Sequence, residues 1–148
     1  METKEFTIER ELDAPRETVW QAWTDPVLAA RWWHPHEVVT PPESVVVDVR
    51  EGGRYRYLMV APDGREYPTG GEFIEVREPE RLRFSWAEPG ADVEDAYVIT
   101  VDLRELPGGR CAMTFHLQGR DEDRGRDDSV HDGWVEAFEE LDALLVQR

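Results

Sequence analysis

The side chains of this sequence that could do chemistry are few. There are four histidines: His34 and His36, two apart around Pro35, and His116 and His131 far along the chain. A structural zinc needs three or four nitrogen or sulfur ligands at short spacing, and the chain has a single cysteine, Cys111. The first two histidines are therefore read as loop residues at a cavity mouth, and no metal or other cofactor is expected. A thiol nucleophile needs a base within reach. Cys111 has no histidine beside it, and His116, on the same strand, has the opposite side-chain parity, so Cys111 reads as a small packing residue. "EGGR" and "PGGR" each join two strand-like runs and open no helix, which makes them hairpin turns rather than phosphate cradles. One acidic route to catalysis remains. Glu72 shares parity with Ile74 and Val76, while Glu75 lies on the opposite face. A carboxyl directed into an apolar cavity has a raised pKa and can serve as general acid or ligand anchor.

The richer signal is aromatic. Six tryptophans, four tyrosines and five phenylalanines in a chain of mean hydropathy −0.63 must be buried or must line something. Alternation gathers Tyr55, Tyr57, Met59, Phe73, Phe84, Trp86, Tyr97, Met113 and Phe115 onto strand faces, and helical spacing adds Trp134 and Phe138. With Trp33 these are the candidate ligand-binding residues. Two readings stand side by side: a fully packed core, or a pocket held open by large side chains, with tyrosine hydroxyls as polar handles.

Those residues need elements to position them. "KEFTIERELDAP" has the period of a half-buried strand. Asp13 and Pro15 then open a short helix carrying Val19, Trp20 and Trp23 on one face. Thr24 or Asp25 followed by Pro26 repeats the signal, so a second short helix is expected to carry Leu28, Trp32 and Trp33 until Pro35 stops it. From residue 45 come six strand-like runs separated by turns: "VVVDVR", "RYRYLMV", "GGEFIEV", "RLRFSWAE", "AYVITVDL" and "CAMTFHLQG". Strands without intervening helices imply an antiparallel meander. Ser129, with Asp132 three residues on, offers a capped start to a last helix bearing Trp134, Phe138, Leu141 and Leu145. The expected fold is α+β: a seven-stranded curved antiparallel sheet around a long C-terminal helix, with two short helices after strand one. No linker divides the chain, so residues 1–148 are expected to form one domain.

Thirty-three acidic against 17 basic residues give a net charge of −16. That field repels phosphate backbones and anionic lipid, so neither nucleic acid nor membrane is an expected partner. One cysteine and no apolar leader or spanning run point to the cytoplasm. Arg54, Arg56, Arg81 and Arg83 alternate against the aromatic positions and should face solvent.

The element order and the strings "APRETVWQAWTDPVLAARWW", "DVREGGRYRYLM", "DGREYPTGGEFIEVREPERLRFSW" and the late "GW" resemble the SRPBCC or START-like superfamily, and within it the branch named for activators of the heat-shock protein 90 ATPase. The match runs from about Phe6 to the C-terminus. Position by position, Trp20 matches the aromatic of the first helix, Asp25 and Pro26 the helix-two cap, and Trp32 and Trp33 the tandem aromatic. Asp48, Arg50, Gly52 and Gly53 match the strand-turn signature, and Gly133 with Trp134 the start of the last helix. Gly52 and Gly53 are read as permitting positive φ, and Asp48 with Arg50 as an ion pair. The resemblance implies a helix-grip fold with an elongated hydrophobic cavity. It leaves three functions open. The first is a non-enzymatic binding protein whose partner is a small hydrophobic molecule, apolar or aromatic and lipid-, sterol- or polyketide-like, held by Trp33, Trp86, Tyr97 and Trp134 and oriented by Tyr55 or Tyr57. The second is a co-chaperone-like module whose partner is a chaperone. The third is a cyclase, aromatase or hydrolase working through Glu72. The chain is expected as a monomer or as a homodimer through a sheet edge.

Overall fold

Alternation in EFTIEREL places Phe6, Ile8, Arg10 and Leu12 on one side of strand β1 (Glu5–Leu12). They lie opposite Leu117, Phe115, Met113 and Cys111 of β7 (Arg110–Gln118). The computed structural model describes residues 5–87, 96–119 and 129–147. Between these two strands in sequence come β2 (Val46–Val47), β3 (Arg54–Val60), β4 (Glu66–Arg77), β5 (Arg81–Trp86) and β6 (Tyr97–Leu106). Seven strands form one sheet in the order β1-β7-β6-β5-β4-β3-β2, with every neighbouring pair antiparallel. This is the expected meander, closed at one edge by the return of β1 to β7.

Helix α1 (Arg16–Thr24) buries Val19, Trp20, Ala22 and Trp23. Pro15, in extended backbone, occupies its N-cap and makes no side-chain cap bond. Asp25 does cap the next helix, α2 (Pro26–Ala29): its Oδ1 accepts from the amides of Val27 at 2.9 Å and Leu28 at 3.3 Å. This helix is shorter than expected. After Ala29 the chain tightens into i to i+3 bonds, Arg31 N to Leu28 O and Trp32 N to Ala29 O, the usual way a helix end satisfies its last carbonyls. Trp32 and Trp33 therefore stand in the turn beyond the helix. There the Trp32 indole donates to the Ala22 carbonyl at 2.8 Å, tying the turn to the end of α1.

The long helix α3 (Ser129–Gln147) lays Trp134, Phe138, Leu141 and Leu145 into the core. The expected cap at Ser129 and the polar segment 120–128 lie outside the described side chains, as does residue 88 of the fourth expected run. Phe115 on the sheet meets Trp134 at 4.8 Å and Phe138 at 5.1 Å between ring centroids. Trp23 of α1 lies among them, 6.1 Å from Trp134 and 4.6 Å from Trp32. At the open end of the sheet Arg10 forms an ion pair with Asp142 of α3. Among the described residues, no helix is long and apolar enough to cross a membrane.

Three local expectations are revised. "VVVDVR" yields only the two-residue β2 before the Asp48–Gly53 turn, where Arg50 Nε meets Asp48 Oδ2 at 2.8 Å. Of the two turn glycines, Gly52 has positive φ (84°), whereas Gly53 is required for space: a Cβ there would stand 2.1 Å from the Asp48 carbonyl oxygen. In β4 the register slips between Phe73 and Glu75, so Phe73 faces Phe84 and Val76 faces Leu82. One inserted residue, Ile74, reverses the parity. Glu75 then turns outward to Arg77 (2.7 Å) and Arg81 (3.7 Å). Glu72 pairs across the ladder with Arg54, its Oε1 3.9 Å from the guanidinium. Neither carboxylate enters the interior, and the acid invoked for a cyclase or hydrolase is absent from it.

Candidate functional site

The turn after α2 and three elements leave a gap over one corner of the sheet. Trp33, His34 and Pro35 come from the turn after α2, Tyr57 and Met59 from β3, Trp86 from β5, and Gly133, Trp134 and Ala137 from the first turns of α3. They enclose a cavity of about 160 Å³, open to solvent on one side. Its size is close to that of an engineered apolar cavity of about 150 Å³ that holds one benzene. The opening follows from residue size. Gly133 and Ala137 are four apart and present one small-residue edge of α3, so the helix covers the corner without filling it. Pro35 packs over Gly133, 3.5 Å from where a Cβ would stand.

Polar groups on this wall are few. The Trp86 indole donates to the Tyr57 hydroxyl at 2.9 Å, and the neighbouring Tyr55 hydroxyl donates to the Ser85 carbonyl at 2.6 Å. Burial raises the pKa of both phenols, so both stay protonated. The Thr40 hydroxyl donates to the Trp33 carbonyl at 3.2 Å and lies 3.1 Å from His34 Nδ1. Since its proton is already committed, Nδ1 is the donor in the second bond. Burial lowers the His34 pKa, more than the nearby Glu140 raises it, so the ring is neutral and Nε2 is left as an acceptor. The indole N–H groups of Trp33 and Trp134 are buried without an acceptor among the described residues, as is that of Trp23.

The rim is fastened by charge. The two ring nitrogens of His36 meet carboxylate oxygens, Nε2 with Glu139 Oε1 and Nδ1 with Glu140 Oε2, each at 2.7 Å. Its backbone amide donates to Glu136 Oε1 at 2.9 Å. The two side-chain bonds raise the His36 pKa. The turn carrying His34 and Pro35 is thereby clamped to α3.

The twelve residues singled out from the sequence divide into groups. Trp33, Tyr57, Met59, Trp86 and Trp134 line the cavity. Tyr55 and Phe84 lie beneath it around a second void of about 10 Å³, which Trp23 also lines. Tyr97 flanks Trp86 at 5.6 Å on β6. Phe73, Met113, Phe115 and Phe138 are buried in the packed core. Pro35, Gly133 and Ala137 were not singled out as lining residues. Their signal was available as the two small residues on either side of Trp134 along α3 and the proline that stops the tandem-tryptophan turn. His116 bonds Glu5 on the sheet surface at 2.7 Å, and His131 packs edge-on to Phe6 at 4.9 Å. The four histidines thus do not converge, and no cluster of metal-ligating side chains occurs among the described residues.

Comparison with known proteins bears on the fold and its lineage. A family model described as Activator of Hsp90 ATPase homolog 1-like protein matches residues 13–146. Among solved structures, a Nitrosomonas europaea protein superposes with a TM-score of 0.82 at 25% identity, covering 97% of this chain and 94% of its own. A Mycobacterium smegmatis protein gives 0.79 at 27% identity, covering 99% and 98%. The AHSA1-like protein of Aeromonas hydrophila, at 24% identity and a TM-score of 0.79, covers 97% and 93% and shares the fold. No curated protein matches the sequence.

Proposed function

This chain belongs to the family of activator of Hsp90 ATPase homolog 1-like proteins, and on that premise we propose that it is a non-enzymatic binding protein for a small apolar or aromatic molecule. One observation carries the reading: the cavity of about 160 Å³ formed where the α2 turn, β3, β5 and α3 meet. Its wall is tryptophan, tyrosine, methionine, proline and alanine, which favours apolar surface, and its few polar atoms suit orientation rather than reaction. Among the described residues no carboxylate, lysine or arginine lines it. General acid–base work by a paired acid and base has no support in such a wall. The proposed address is the cytoplasm, consistent with the buried, unpaired thiol of Cys111.

A thermal-shift screen with small aromatic molecules, read together with tryptophan emission, tests this. A ligand at a hundred times its dissociation constant adds about 2.7 kcal/mol, a rise of roughly 5 to 10 °C in Tm for a chain of this size. Saturable shifts that also change tryptophan emission support the reading. If no compound shifts either signal, the cavity is packing space and the reading fails.

A further inference from the structure

One hydrogen-bond donor on the cavity wall is left without an acceptor among the described residues, and it describes the occupant. Tyr57 is 5% exposed. Its hydroxyl oxygen accepts the Trp86 N–H at 2.9 Å. An indole nitrogen can only donate, so the phenolic proton is not used in that bond, and it has no acceptor among the described residues. The N–H groups of Trp33 and Trp134 also lack one, but both nitrogens are enclosed by protein atoms and do not open onto the cavity. Buried donors without acceptors are rare in folded proteins, and each costs free energy until it is satisfied. The unspent Tyr57 proton is therefore the donor the cavity offers, and among the described lining residues Nε2 of the neutral His34 is the free acceptor.

Charge narrows the occupant further. None of the nine described lining residues is Lys, Arg, Asp or Glu, so they give an entering ion no counter-charge for the water it would lose. Glu136, Glu139 and Glu140 stand at the rim around His36, in a chain of net charge −16, and repel an anion approaching it. The cavity volume of about 160 Å³ admits about one six-membered ring.

Resting on the binding reading above, the geometry points to a neutral, ring-sized molecule bearing a carbonyl oxygen, seated so that the Tyr57 hydroxyl donates to that oxygen. The ring lies against Trp33, Trp86 and Trp134, and the carbonyl takes the proton that the Trp86–Tyr57 bond leaves unspent. Long-chain fatty acids do not suit it, by their charge and by the cavity volume of about 160 Å³.

Four planar probes of one shape separate the possibilities: acetophenone, α-methylstyrene, benzoate and benzamidine. They present a neutral acceptor, no acceptor, an anion and a cation. Binding is followed by tryptophan fluorescence, and the carbonyl stretch of bound acetophenone by infrared difference spectroscopy. Acetophenone and α-methylstyrene are expected to saturate and the two ions not to. Tyr57→Phe is expected to weaken acetophenone about three- to tenfold, the usual yield of one hydrogen bond, and to leave α-methylstyrene within about twofold. The acetophenone stretch should lie below its value in an alkane solvent and return toward it in Tyr57→Phe. The infrared measurement on the unaltered protein stands even if that variant fails to fold. Three results overturn the inference while leaving the binding reading in place. They are an unshifted stretch, equal loss of both neutral probes in Tyr57→Phe, and benzoate or benzamidine binding as tightly as acetophenone. Failure of all four probes to bind overturns both.

Discussion

The Trp86 indole and the Tyr57 hydroxyl, 2.9 Å apart, join strands β5 and β3 across the position of β4. The floor and one side of the cavity are therefore held together by the two side chains that line it, rather than by backbone pairing alone. Tyr57→Phe keeps the ring and removes the acceptor, leaving a partly buried N–H unpaired. It should cost about 1 to 2 kcal/mol in urea denaturation. In a double-mutant cycle with Trp86→Phe the two losses should fall short of additive by about 0.5 to 1.5 kcal/mol. Strict additivity would mean the bond is not made.

The two histidines of the α2 turn should give opposite pH dependences. A neutral imidazole has one N–H, so bonds from both His36 nitrogens to Glu139 and Glu140 require the charged ring. Its pKa is raised above the ordinary 6.5. The stabilisation it contributes is fully present below pH 6.5 and is lost as pH climbs through the raised value. His36→Gln should therefore lower Tm at acidic pH and approach the unaltered protein at alkaline pH. For His34, burial lowers the pKa below 6.5. Keeping it neutral costs stability as pH falls from 6.5, because the unfolded chain takes up the proton first. Melting curves of His34→Gln should show a flatter acid limb. A His36→Gln difference that does not vary with pH would contradict the clamp.

Trp23 is 2% exposed and its ring meets those of Trp32, Phe84, Phe115, Trp134 and Phe138. Its truncation to alanine should cost about 3 to 5 kcal/mol. Met59 is only partly buried against the core and borders the existing cavity. Met59→Ala should cost under about 2 kcal/mol, since it enlarges an opening rather than creating a void. Comparable losses in the two variants would show that the cavity corner is as tightly packed as the centre.

Two glycines should respond differently to alanine. A Cβ on Gly71 would stand 1.9 Å from the Ser85 carbonyl oxygen, so Gly71→Ala must part β4 from β5 and should cost about 2 kcal/mol or more. Gly108 has φ +82° and open space around it. Gly108→Ala pays only for the left-handed backbone, about 1 kcal/mol. Chemical denaturation of both variants makes the comparison.

Much of this architecture is written in local periodicity. The alternation of Cys111, Met113, Phe115 and Leu117 and the spacing of Trp134, Phe138, Leu141 and Leu145 determine which faces meet, and those residues are buried where the pattern requires. Asp25 followed by Pro26 marks a helix start because a carboxylate there has amides to accept from. The bulge at Ile74 has no such mark: one extra residue fits the alternation on either side of it, and only pairing with β5 reveals that Glu72 and Glu75 face outward. The end of α2 was equally hidden, since Trp32 stays in helical spacing while its indole is drawn to the Ala22 carbonyl. The aromatic residues could be named as a set, but not divided into wall and core. That division depends on where Gly133 and Ala137 leave α3 thin and on Trp23 filling the centre, which are matters of packing between distant segments.

The most direct test of the binding account is a proton–nitrogen NMR titration of the six tryptophan indole signals with acetophenone, each signal assigned by a single Trp→Phe variant. The account predicts saturable shifts for Trp33, Trp86 and Trp134, which line the cavity, and little change for Trp20 and Trp32, which do not. Six unmoved signals, or shifts led by Trp20 and Trp32, would contradict it.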